Sequence, residues 1–133
     1  MSRRRAQAGA EMIEGALAMM VFAVLLAGTM ELGLVGAISS TASFAAQRAA
    51  RYASVRGSAS GHAAAAADVQ AIAQQYATPF NTAALTVTVT WSPNNNPGST
   101  VTVKVAYSLS PSLVPVRSTA LTLQATASQT IIQ

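Results

Sequence analysis

The sequence predicts an α+β fold: a long N-terminal helix, partly transmembrane, then a short second helix and a three-stranded antiparallel sheet. Three observations carry this. Residues 15–30 are uncharged, and no proline occurs from residue 13 to residue 52. Apolar residues then recur at helical spacing over residues 63–77. From residue 85 onward the period changes to two.

The first helix is expected over residues 13–52. Its uncharged run 15–30 would measure about 24 Å, slightly short of a bilayer core of about 30 Å. Glu31 interrupts, and residues 32–44 resume without charge. Gly15, Gly28, Gly33 and Gly36 lower helix propensity by up to about 1 kcal/mol each. Small residues are better tolerated where helices approach closely. Ala23 with Ala27, and Gly33 with Ala37, have that small-xxx-small spacing.

Arg56-Gly57-Ser58-Ala59-Ser60-Gly61 is a small-residue break suited to a helix end and a turn. The second helix follows over residues 63–77. Val69, Ile72, Ala73 and Tyr76 fall on one stripe, and Thr78-Pro79 ends it. Leu85, Val87, Val89 and Trp91 alternate with threonines. Val101, Val103, Val105, Tyr107 and Leu109 form a second alternating run, and Leu121, Leu123, Ala125 and Ala127 a third. The loop 92–99 joins the first two strands as a hairpin, and residues 111–116 join the second and third. One sheet face is apolar and needs a cover, which the far half of the long helix and the second helix can supply.

Composition excludes several classes of function. Only 9% of the 133 residues are charged, and the net charge is +4. The basic residues cluster as Arg3, Arg4 and Arg5 at the start, and as Arg48, Arg51 and Arg56 past the apolar stretch. With aromatics at 5%, this is not the broad basic face with stacking rings that nucleic acid requires. Cysteine is absent, which removes disulfides and thiolate zinc sites. One histidine and four scattered acids argue against a metal site or cofactor. His62 has Ser58, Ser60 and Asp68 nearby, but nothing forms a nucleophile elbow, so an enzyme is not expected. Trp91 and Tyr107 are expected to fill the sheet core.

The N-terminal stretch Arg3-Arg4-Arg5-Ala6-Gln7-Ala8-Gly9-Ala10-Glu11-Met12-Ile13-Glu14 asks for its own account. A carboxylate at the mouth of an apolar run is costly in hydrocarbon. Its spacing resembles a prepilin leader: basic residues, a cleavage-site glycine, and glutamate at the fifth mature position after a cut between Gly9 and Ala10. An ordinary secretory signal competes, but Glu11 and Glu14 lie between the arginines and the apolar run. An unprocessed signal anchor is the remaining alternative.

Two further segments strengthen the likeness: Gly28-Thr29-Met30-Glu31-Leu32-Gly33 and Ala45-Ala46-Gln47-Arg48-Ala49-Ala50-Arg51-Tyr52-Ala53. Over about the first 55 residues the chain resembles the TadE-like minor pilins, or pseudopilins, of tight-adherence (Flp) type IV pilus systems. The β-rich remainder carries no motif of that family. The resemblance implies a pilin-like fold with residues 1–9 as leader, 10–57 as transmembrane and assembly helix, and 58–133 as a small periplasmic domain. It implies cleavage by a prepilin peptidase, insertion in the bacterial inner membrane, and partners among other pilins and the pilus assembly machinery. The arginines ahead of the span keep the N-terminus cytoplasmic.

Under this reading Glu14 pairs with the Ala10 amine of a neighbouring subunit, since a buried carboxylate needs a partner. The plainer reading places Glu14 among headgroups at a helix start, favoured by the dipole. Glu31 marks the outer membrane interface or pairs within a bundle. Arg48 and Arg51 share a helix face and contact lipid phosphates, acidic groups of partner pilins, or only solvent. The alternative function is a membrane-anchored periplasmic binding or adaptor module that is never polymerised.

Overall fold

The computed structural model describes residues 2–78, 81–109 and 121–133. Helix α1 spans Ser2–Ser54 and α2 spans Ala66–Tyr76. Strands β1 (Leu85–Ser92), β2 (Thr100–Leu109) and β3 (Leu121–Thr130) form one antiparallel sheet in the order β1-β2-β3. The fold is α+β, as the sequence predicts.

Helix α1 begins earlier than expected, running through the arginines as well as the apolar stretch. Arginine, alanine and glutamine are good helix formers, and no proline intervenes to stop them. Helix α2 is shorter than its pattern. Ala65 is its N-cap, and the Asp68 carboxylate accepts a hydrogen bond from the Ala65 amide at 3.1 Å. This is the half of a capping box that an alanine cap leaves possible. The Ala77 amide closes the other end on the carbonyls of Ala73 and Gln74. Pro79 and the connection 111–116 lie outside the described residues.

The register explains the core. Val87 faces Val105, and Val105 faces Ala125; Val103 stands between Val89 and Ala127. These side chains share one sheet face, while Thr86, Thr88, Thr90, Lys104 and Thr126 take the other, as period two requires. The distal half of α1 lies over β2 and β3, and α2 lies beside it toward β1. Helix α1 presents mostly small residues here: Ala42, Ala46, Ala49, Ala50 and Ala53 are buried in one cluster with Val101, Val103 and Val105, and Tyr52 packs partly against it. An alanine ridge lets a helix backbone come close to the valine face and still fill the space. Val69 and Ala73 of α2 complete the cover, with Ile72 packed partly against it. Gln70 Nε2 donates to the Val87 carbonyl at 3.1 Å, tying α2 to the outer strand.

The chain after β3 returns to the end of α1. The Ile131 amide donates to the Ser99 carbonyl at 2.8 Å, and the Ile132 amide to the Ser54 carbonyl at 2.9 Å. Ile131 is 2% exposed, among the largest fully buried side chains of the described residues.

Candidate functional site

Helix α1 has two unlike halves. Ile38 is the first buried residue along it, and from there to Ser54 one side of the helix is domain core. Residues 11–26 are all exposed. Met12, Ile13, Leu17, Met19, Met20, Val21, Phe22, Val24 and Leu25 stand bare along that stretch. An uncovered apolar surface of this length marks a face for a membrane or for another chain. Within Glu11–Ser54 the helix is long and apolar enough to cross a membrane.

The residues singled out in the sequence distribute along this rod. Gly9 is helical and exposed, with nothing within 4 Å of where a Cβ would sit. The Gly9–Ala10 peptide belongs to the continuous helix. Glu14 lies four residues past Ala10, one helical turn along the same face. Its neighbours on the rod are Leu17, Ala18 and Val21. A carboxylate there is flanked by hydrocarbon-loving side chains on the C-terminal side and faces outward. Gly15, Gly28, Gly33 and Gly36 likewise meet no other part of the chain. Glu31 is half-buried and has an interaction partner of its own.

Arg48 and Arg51 sit on the exposed side of the half of α1 that carries the domain. The Arg48 guanidinium lies 5.0 Å from the Phe44 ring centroid and 5.8 Å from that of Tyr76. The two rings meet edge to face at 5.7 Å. The guanidinium is thus held by cation–π attraction rather than by a carboxylate, a geometry arginine favours. Gln47, Arg51 and Gln129 of β3 border the same shallow depression. Arg56 is held the same way, 4.6 Å over the Tyr52 ring with a 2.9 Å hydrogen bond to its hydroxyl.

The sequence singles out Arg48 and Arg51 as contact residues; it puts Tyr76 only on the apolar stripe of α2 and gives Phe44, Gln47 and Gln129 no role of their own. Phe44 is four residues before Arg48 and was open to the i, i+4 rule. Tyr76 and Gln129 are brought in by tertiary packing, which no local spacing encodes.

His62, Ser58, Ser60 and Asp68 do not converge. Ser60 Oγ accepts from the His62 backbone amide, Ser58 Oγ donates to Asn96, and Asp68 is taken by the Ala65 amide. Tyr107 is buried in the core as expected. Trp91 is half-buried against it, and its indole Nε1 is buried without a hydrogen-bond partner among the described residues.

Among known proteins, no family model, no curated protein and no solved structure matches this chain.

Proposed function

We propose that the chain is a minor pilin or pseudopilin, a structural subunit that takes part in assembling a type IVc (Tad/Flp) pilus. The observation that carries the reading is the division of α1. One continuous helix serves as the spine of a small domain in its distal half and as a bare apolar rod in its proximal half. That is the shape of a subunit that waits in a membrane and later packs its rod among others. The order of Arg3, Arg4, Arg5, Gly9 and Glu14 along the rod supports the same reading.

In this mechanism a prepilin peptidase cuts between Gly9 and Ala10. Proteolysis needs locally opened backbone, and the cut falls in helix. Gly9 weakens that helix by about 1 kcal/mol relative to alanine and offers no side chain to obstruct the enzyme. The new Ala10 ammonium then seeks a counter-charge inside an apolar bundle. Glu14 of a neighbouring subunit supplies it, and each buried charge offsets the desolvation of the other. Glu31 stands about 25 Å further along the helix, at the outer edge of the hydrocarbon.

N-terminal peptide mass spectrometry of the protein from its native membrane tests the proposal. The expected mature terminus is Ala10. Replacing Gly9 with leucine should leave the uncut form in the membrane. An intact N-terminus in the wild-type chain would return the protein to the class of membrane-anchored binding or adaptor modules.

A further inference from the structure

The face bearing Arg48 and Arg51 has no counter-charge in its own domain. From residue 38 onward the basic residues are Arg48, Arg51, Arg56, Lys104 and Arg117, and the only acid is Asp68. Asp68 sits at the N-terminus of α2, where its carboxylate accepts from the Ala65 amide. Among the described residues no carboxylate lies within ion-pair distance of Arg48 or Arg51. Arg48 is nonetheless fixed in place, its guanidinium stacked on Phe44 and Tyr76. A cation fixed by aromatic rings keeps its outward N–H donors open for a second partner. The amides of Gln47 and Gln129 flank the depression between the arginines and β3. We infer that this face docks a carboxylate-bearing surface of a different protein chain, with Arg48 and Arg51 as its paired anchors.

Two rival occupants fail on geometry and charge. The first is lipid phosphate. With Glu31 at the outer edge of the hydrocarbon, as in the proposed function, Arg48 is 17 residues on, about 25 Å along the helix axis. A headgroup layer is only about 5–8 Å deep. Even a tilt of 40° leaves Arg48 about 19 Å above the hydrocarbon. The second is another copy of this chain. Its Glu11 and Glu14 lie at the far end of the rod, its Glu31 is half-buried and already partnered, and its Asp68, with one oxygen taken by the Ala65 amide, offers a single carboxylate against two arginines. Two copies meeting through this face bring like charges together. The surface therefore favours a heteromeric contact and disfavours a homomeric one, which is specificity by repulsion as well as by attraction.

The inference rests on the proposed reading for the height of the domain above the membrane, and its test is separable from it. The full chain would be expressed in its native host with a photoreactive benzoyl-phenylalanine in place of Gln47. Adducts would be identified by peptide mass spectrometry. The expected adduct joins this chain to an Asp- or Glu-bearing segment of another protein. Arg48→Glu with Arg51→Glu should lower its yield about tenfold or more, the weight of a lost charged contact. Changing the cross-linked acidic residues of the partner to arginine should restore it. Arg51→Gln is the second variant. It leaves the stack of Phe44, Arg48 and Tyr76 intact, so a fall in yield from it cannot be blamed on misfolding. Adducts only to lipid, only to a second copy, or absent altogether overturn the inference. So does a yield that charge reversal leaves unchanged. Cleavage after Gly9 and piliation would be scored in the same cells. An acidic-partner adduct on uncleaved, unpolymerised protein would sink the pilin reading and leave this contact standing.

Discussion

Gly57 lies directly against Ile131. A Cβ on Gly57 would run into the Ile131 Cγ2 methyl and the Gln133 carbonyl oxygen, with the Asn95 carbonyl oxygen 3.1 Å away. The backbone at Gly57 is extended, with φ −76°, so the glycine is needed for space and not for a left-handed conformation. Three parts of the chain converge here: the end of α1, the β1–β2 loop and the segment after β3. The neighbouring Ser58 amide donates to the Asn95 carbonyl at 2.7 Å, which holds the loop in place.

Gly57→Ala should therefore destabilise the domain by about 1–3 kcal/mol, the range for overpacking a closed site. Gly61, at φ +74° with open space around it, would lose stability through backbone strain instead. Denaturant unfolding of the full chain in detergent, followed by Trp91 fluorescence, reads both. A Gly57→Ala variant with an unchanged midpoint would mean the three segments separate easily.

The alanine ridge of α1 gives a second prediction. Ala49 is 0% exposed beneath the sheet, while Ala37, less than four turns earlier, is exposed. Ala49→Leu should cost about 1–3 kcal/mol by pushing the helix off the valines. Ala37→Leu should stay within about 0.5 kcal/mol, as surface substitutions do. Equal effects at the two positions would contradict the packing described.

A third prediction concerns dependence of the domain on its helix. A chain that begins at Ser54 lacks Ala42, Ala46, Ala49, Ala50 and Ala53, and so uncovers Val101, Val103 and Val105. With α1 gone, only α2 covers the sheet, and the apolar face that the alanines had closed meets water. The truncated protein should bind a hydrophobic dye and melt without cooperativity. A compact monomer with a sharp transition would show that α1 is dispensable to the core.

Much of this architecture was legible in the sequence, for identifiable reasons. Val101, Val103 and Val105 alternate with Thr102 and Lys104, and a period of two has few other meanings. The loop 92–99 is rich in proline and asparagine between two such runs, so the hairpin followed. The alanine ridge was harder to read. Alanine suits a bare helix surface and a tight interface equally well, so Ala42, Ala46 and Ala49 do not announce which they serve. Gly57 read as a helix break, and the contact that requires a glycine there comes from Ile131, 74 residues away in sequence. The candidate site divides similarly. Gly9 and Glu14 are a matter of linear spacing and were visible at once. The stack under Arg48 depends on Tyr76, which only the docking of α2 brings near.

The fourth prediction isolates the role of Glu14. Glu14→Gln removes the charge and keeps the size. Under the pairing model the variant should still insert into the membrane and be cleaved after Gly9. It should then fail to enter the fibre, because the Ala10 ammonium of its neighbour is left buried without a counter-charge, a loss of about 3–5 kcal/mol. Under the interfacial model the carboxylate contributes only its attraction to the helix dipole, below about 1 kcal/mol, and piliation would be normal. Beyond Glu14 every residue up to Glu31 is uncharged, so the one other carboxylate near the depth of the new amine is Glu11, next to Ala10 itself. Immunoblots of the processed form, electron microscopy of pili and co-purification with partner pilins separate the outcomes. Normal piliation with normal partner recovery would end the pairing model. A defect in processing alone would move Glu14 from assembly to recognition by the peptidase.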